Sequence, residues 1–238
     1  MKRKITTVII ILIIWEIASL HIGKEVILPL PQNVLKAMID LLSKDYFYTS
    51  ILASLKRVIV SILSAFLIGT STGILAGRHK WFDDYFTIVV TFIQVIPQIA
   101  FILIFMVWFR SETALYMIIL IMICPLFYHN ARNGILNIDP ELKDVIMLYH
   151  HPWYYNLYKA YLPLIRSSLM SAFDSAIPLA LKVGVMAEVF VSSRKGIGHA
   201  IYLARVNIDM TLIFAWVIYM ILLIKVILTL YNFIMQKK

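Results

Sequence analysis

Cysteine is almost missing from this sequence: one, Cys124, stands in 238 residues. It lies inside an apolar run, which excludes a disulfide framework and a cysteine-built metal site. Charge is scarce as well, at 15% of residues where soluble proteins carry about 25%. No G-x-x-x-x-G-K-S/T stretch occurs, so ATP binding through a P-loop is excluded. H-E-x-x-H and G-x-S-x-G are absent too. Histidine offers one adjacent pair, His150-His151, and neighbours on a helix point apart, so no metal is expected. There is no Gly/Ser linker, no low-complexity tract and no short-period repeat.

What the chain has instead is apolar length. Apolar residues make up 61% of it, against about 45–50% in soluble domains, and the mean hydropathy is +0.86. That leaves too little polar surface for a water-soluble globule. The reading is an all-α, polytopic membrane protein. At about 20 residues per span, the chain holds roughly six spans, with no room for a large soluble domain. A net charge of +9 would suggest nucleic acid in a soluble protein. Here it reads as cationic loops on the cytoplasmic side, and no nucleic-acid partner is expected.

The spans read as Ile5–Leu20, Ile51–Gly77, Tyr85–Trp108, Ala114–Tyr128, Leu164–Val191 and Thr211–Met235. The first follows a basic start and lacks a small-x-small cleavage site, so it reads as an uncleaved helix. Residues 1–50 pair it with an amphipathic surface helix within Leu28–Tyr48, and 51–238 form the core of five spans. With the N-terminus inside, the inner segments carry eleven Lys and Arg and the outer segments seven. That predicts cytoplasmic N- and C-termini. The longest polar connection, 129–163, then lies inside.

Three helical patterns carry more than span length. Ser61, Ala65, Gly69, Gly73 and Gly77 place small residues every four positions, a stripe for close helix packing in lipid. The fifth span contains Asp174, Lys182 and Glu188 around Pro178, each charge costing about 2.5–3.5 kcal/mol near the bilayer centre. At 100° per residue these fall on one arc with Ser167 and Ser171, so that face is expected to line a path or a gate. Pro97 should break the third span, with Gln94 and Gln98 placed to bond the freed backbone.

The cytoplasmic connection resembles the coupling loop of binding-protein-dependent ABC importer permeases. Anchored on Leu162-Pro163, the family's acidic position falls at Asp144, its two alanines at Val145 and Ile146, and its glycine at His150. The acid and the Leu-Pro are kept, while the alanines, the glycine and the aliphatic position (Ala160) differ. Further along the chain, Leu28-Pro29-Leu30-Pro31-Gln32-Asn33-Val34 is similar to the entry of the nitrate/sulfonate/taurine branch. So are Ser54-Leu55-Lys56-Arg57-Val58, Ile96-Pro97-Gln98-Ile99-Ala100, Trp108-Phe109, Ala187-Glu188 and Gly196-Ile197-Gly198, in order and spacing. The resemblance implies a type I importer subunit with no cofactor of its own, ATP being bound by a separate cytoplasmic ATPase dimer. It also implies a second permease copy and an extracytoplasmic solute-binding protein. Pro140–Leu148 is expected to form a short helix whose Val145, Ile146 and Leu148 insert into the ATPase, with Asp144 and Lys143 at its rim. Family members often carry arginine where Asp174 stands, so the charge of this path is its own.

Two readings remain. One is the permease, a transport subunit rather than an enzyme, moving a small solute such as a nitrate-, sulfonate- or taurine-like anion or a vitamin precursor. The other is a membrane-embedded enzyme working through Asp174, Lys182 and Glu188. A secondary transporter would need inverted repeats, which are absent. The purified chain alone is expected to show no ATP hydrolysis. Turnover of a lipid-phase substrate that needs no partner and is lost on Asp174→Asn or Glu188→Gln would mark the enzyme instead.

Overall fold

The computed structural model describes residues 2–148, 152–191 and 193–236, and among them every regular element is a helix. Among the described residues four helices are long and apolar enough to cross a membrane: α3 (Asp45–Arg78), α6 (Ser111–Leu136), α10 (Arg166–Val191) and α12 (Met210–Gln236). Helices α4 (Lys80–Val95) and α5 (Gln98–Trp108) are together apolar and long enough for a further span, and they meet at 96°. The sixth apolar segment, residues 6–22 of α1 (Lys2–Ile22), is shorter. Connecting elements are α2 (Pro31–Leu42), α7 (Pro140–Leu148), α8 (Trp153–Asn156), α9 (Leu162–Leu164) and α11 (Ile197–Val206).

By packing, the chain divides into two compact units, one of residues 1–55 with 188–238 and one of residues 56–187. In the first, α2 lies against α12, and α11 also packs on α12. Tyr219 donates to the Met38 carbonyl at 2.7 Å, and the Phe47 ring sits 4.6 Å from the Tyr219 ring and 5.4 Å from Trp216. The Trp15 indole N–H donates to the Pro29 carbonyl at 3.0 Å, and the Ser19 hydroxyl donates to the Leu28 carbonyl at 2.8 Å. Glu16 accepts from Gln32 at 3.0 Å. These bonds fold the Leu-Pro-Leu-Pro entry back on α1. The amphipathic helix ends at Leu42; Tyr46–Tyr48 belong to the first turn of α3.

In the second unit, the small-residue stripe of α3 lies along α6. A Cβ at Gly69 would stand 2.6 Å from the Cys124 carbonyl oxygen, and one at Gly77 would stand 2.6 Å from the Ile135 Cβ. Gly73 faces Tyr128 and Ala131 between them. The contact advances one α6 turn for each α3 turn, as two helices in close parallel seating require. This seam is closed by dispersion, because lipid gives helices no hydrophobic reason to associate.

The fourth span runs further than the sequence reading placed it. Helix α6 continues through His129 to Leu136, so the first residues of the expected connection are helical. They stay helical because Ala131 and Ile135 are buried against α3 and Ile165. Helix α10 runs unbroken across Pro178. At Pro97, by contrast, the break is complete, as a residue without an N–H and with a clashing ring predicts.

Placing a branched side chain in the α3–α6 seam should cost about 1–3 kcal/mol from overpacking alone. Gly69→Val is expected to lower the thermal midpoint of the detergent-purified chain by several degrees, whereas Ser71→Val, at an exposed position of the same helix, leaves it unchanged.

Candidate functional site

The connection between α6 and α10 is built as a short helix held on a fixed seat. Helix α7 opens at Pro140, whose missing N–H is an orphan at a helix start in any case. Asp139 Oδ1 accepts the Glu141 N–H at 2.9 Å. Lys143 Nζ reaches back 3.1 Å to the Leu136 carbonyl, placing a cation on the C-terminal end of α6. Ile146 does not face outward as its motif position suggested. It is 9% exposed and packs in one cluster with Ile138, Tyr161 and Ile165. The helical period then turns Val145 and Leu148 away from that cluster, and they are 46% and 74% exposed. Asp144 is exposed beside them. His150, the motif's glycine position, lies outside the described residues.

The return limb carries the Leu-Pro. Leu157–Tyr161 form a π-helical turn in which the Leu162 N–H reaches the Leu157 carbonyl. Pro163 has no N–H to offer one turn back, and a widened turn is one of the few ways to absorb that. Tyr161 is buried there, with the Arg78 guanidinium 5.0 Å above its ring. Leu162 packs at the edge of the Ile146 cluster, and Pro163 is exposed.

On α10 the expected polar face divides. Asp174 and Lys182 are exposed, and Pro178 is half-buried. Glu188, on the same helix, is 1% exposed and fully engaged. Its carboxylate accepts from Ser54 Oγ at 2.8 and 2.9 Å and from the Gly198 N–H at 2.8 Å, while Ser54 Oγ accepts the Ile197 N–H at 2.9 Å. The carboxylate and serine thus cap the start of α11, where free N–H groups and the helix dipole favour an anion. Gly196 precedes them at φ +146°, and any Cβ there would strike the Glu188 carboxylate. Ala187-Glu188 and Gly196-Ile197-Gly198 are therefore two halves of one local structure. Gln94 does not bond the backbone freed at Pro97; its Oε1 lies 3.2 Å from His129 Nε2. Gln98 opens α5 and is half-buried.

Two ion pairs escaped the sequence reading. Arg57, 4% exposed, donates Nε and Nη2 to Glu112 at 3.0 and 2.7 Å. Arg132 forms a bidentate pair with Asp83, which also accepts from Thr87 at 2.9 Å and from Tyr128 at 3.3 Å. The partners stand 55 and 49 residues apart, so no local spacing could join them. A lone charge near a span end is the signal the sequence offers for them. Among the described residues no cluster of three or more His, Cys, Asp or Glu is arranged to hold a metal ion.

Comparison with known proteins agrees with this architecture. Residues 65–237 match the pattern of a family described as the binding-protein-dependent transport system inner membrane component. A Methanocaldococcus jannaschii protein named as an ABC transporter permease is 25% identical over 206 residues, 84% of this chain and 77% of that protein. The formylaminopyrimidine transport permease protein of Halalkalibacterium halodurans is 22% identical over 193 residues, covering 80% and 76%. The taurine transport system permease protein of Escherichia coli is 23% identical over 140 residues, covering 56% and 51%. A solved inward-facing structure of the MetNI methionine ABC transporter shares the fold. Its TM-score is 0.71, at 16% identity, over 79% of this chain and 94% of that one.

The Glu188 cap predicts a contrast in stability. Glu188→Ala strands the Ser54 hydroxyl and the Gly198 N–H, at about 1–3 kcal/mol for each buried donor left unmade. Asp174→Ala removes an exposed carboxylate and should stay within about 0.5 kcal/mol. Thermal unfolding of the purified variants reads the difference directly.

Proposed function

The chain belongs to the binding-protein-dependent transport system inner membrane component family, and from that premise we propose how it works as the permease of an ABC importer of small solutes. Two copies pair in the plasma membrane, with N- and C-termini in the cytoplasm. Residues 51–238 form the permease core, and residues 1–50 add a helix and a surface helix. An extracytoplasmic binding protein delivers the solute, and a cytoplasmic ATPase dimer, which holds the ATP, drives its passage. The permease itself carries out no chemistry.

Helix α7 is the observation that carries this reading. A nine-residue helix is too short to be stable by itself. Here it is pinned by Ile146 and by the Lys143 bond, and it presents Val145 and Leu148 outward beside Asp144. Large apolar side chains on a fixed exposed helix suit insertion into a partner's groove, with the acid at the rim. Closure of the ATPases on ATP would move α7, and the cluster under Ile146 would pass that movement to the α6 and α10 ends. Exposed Asp174 and Lys182 on α10, with Gln94 and Gln98 near the Pro97 break, are the proposed path-lining groups. Glu188 has a structural part in this scheme, as the cap of α11. The enzyme alternative is not favoured, since it requires Glu188 as a free acid or base. The relatives' names span a sulfonate and a pyrimidine, and a small anion or vitamin precursor is the proposed solute class.

Co-expression with the cognate ATPase should give a complex that survives purification. Leu148→Asp is expected to reduce ATPase recovery at least about tenfold, as loss of a buried apolar anchor does, without altering the chain's own elution profile. Ile146→Ala should act in the opposite way, lowering the permease's stability by about 2–5 kcal/mol through a cavity. Unchanged ATPase recovery with Leu148→Asp would remove α7 as the docking element.

A further inference from the structure

Two stretches of this chain carry no carboxylate at all, 46–82 and 145–173. The fold sets one against the other. Between the second half of α3 and the π-helical return limb lies a groove of about 460 Å³, wholly inside the second unit. Its walls are apolar, with Leu67, Ile74 and Leu75 on α3 and Leu157 and Leu162 on the return limb. The one charge lining it is Arg78, the last residue of α3. Tyr158 adds a phenol, a side chain enriched where headgroups meet tails.

Length and charge together select an occupant. From Leu67 to Arg78 the groove follows about 17 Å of helix axis. The hydrocarbon core of a bilayer is about 30 Å thick, so this is close to the depth of one leaflet. Arg78, His79 and Lys80 end the span and set its charged end at the interface. The Arg78 side chain is exposed, with its guanidinium 5.0 Å over the Tyr161 ring, and among the described residues no carboxylate pairs with it. A ring contact leaves the N–H donors without an oxygen, in a fork that matches phosphate. The ammonium of a zwitterionic headgroup would find no acid on either wall, and would stand among Arg78, Lys80 and Lys159.

We infer that this groove seats one anionic phospholipid of the cytoplasmic leaflet. Its phosphate lies against Arg78, and one acyl chain runs down the groove past Leu75, Leu157 and Leu67. Ile74 belongs to the cluster that holds α7, and Leu157 and Leu162 pack at its edge. The lipid tail therefore packs against the back of the α7 seat. Assignment to the cytoplasmic leaflet rests on the orientation proposed above, where anionic lipids gather and basic pockets between spans take their headgroups. A free phosphate would gain only an exposed ion pair at Arg78, which is weak in water.

The test is native mass spectrometry of the full chain in dodecyl maltoside, with dioleoylphosphatidylglycerol or dioleoylphosphatidylcholine added. One phosphatidylglycerol per chain should be retained, with an affinity about tenfold or more above phosphatidylcholine, the order given by one charge-assisted hydrogen bond. Arg78→Gln should erase that preference, and Lys225→Gln, at an exposed position of α12, should keep it. Leu67→Trp, which fills the apolar end, should lower retention of both lipids. Should Leu67→Trp not elute as a single folded species, Leu75→Trp is read in its place; the headgroup comparison on the unaltered chain needs no variant. Equal retention of the two lipids, or a preference that survives Arg78→Gln, would overturn the proposal. Displacement by glycerol 3-phosphate would mark a free-phosphate site, and a dimer that excludes the lipid would make a second copy the occupant; either would overturn it too. No ATPase takes part in the measurement, so lipid retention and docking at α7 can fail separately.

Discussion

The buried carboxylate of Glu188 ties together three segments that are far apart in the chain: the start of α3 through Ser54, the end of α10, and the first turn of α11. Hydrocarbon supplies no hydrogen bonds, so an ionised group there persists only if the protein surrounds it with donors. Here the donors include the Ser54 hydroxyl and the Gly198 N–H, an orphan group at the start of α11 that itself needs an acceptor. Each side removes the other's cost. The turn between them closes over a glycine, since nothing larger fits against the carboxylate. The same rule organises the second unit, where Arg57 and Arg132 each hold a carboxylate in a bidentate pair.

Packing then follows from how near the backbones approach. The α3–α6 seam is made of glycines facing carbonyls and small side chains, so its fit leaves no slack for movement within the pair. A transport cycle needs rigid pieces that move as units, and this seam makes one. The α7 seat extends it. Ile146, Ile138, Tyr161 and Ile165 join the short helix to the ends of α6 and α10 through Ala131 and Ile135, so a force applied to α7 reaches both long helices through packed side chains.

Much of the fold was legible in the sequence because its signals are local. The every-fourth small residue in Ser61–Gly77 marked a packing stripe, Pro97 marked a break, and Pro140–Leu148 read as a helix with the bounds it has. The polar chemistry was less legible. Glu188 and Ser54 are 134 residues apart, and nothing in either neighbourhood names the other. Helical phase put Glu188 on one arc with Asp174 and Lys182, yet phase cannot tell which member is claimed by the start of another helix. Ile146 shows the same limit within α7. Its motif position faced it outward, and only the cluster formed with Tyr161 and Ile165 turns it inward.

The proposed role of this chain is to convert nucleotide-driven movement of a partner into passage of a solute supplied from outside. Its most direct measurement is ATP hydrolysis in proteoliposomes holding this chain and its cognate ATPase, with and without the solute-loaded binding protein on the outer side. The account predicts low basal hydrolysis that rises several-fold only with the loaded binding protein and is accompanied by solute uptake. Hydrolysis indifferent to the binding protein, or uptake that proceeds without ATP, would contradict it.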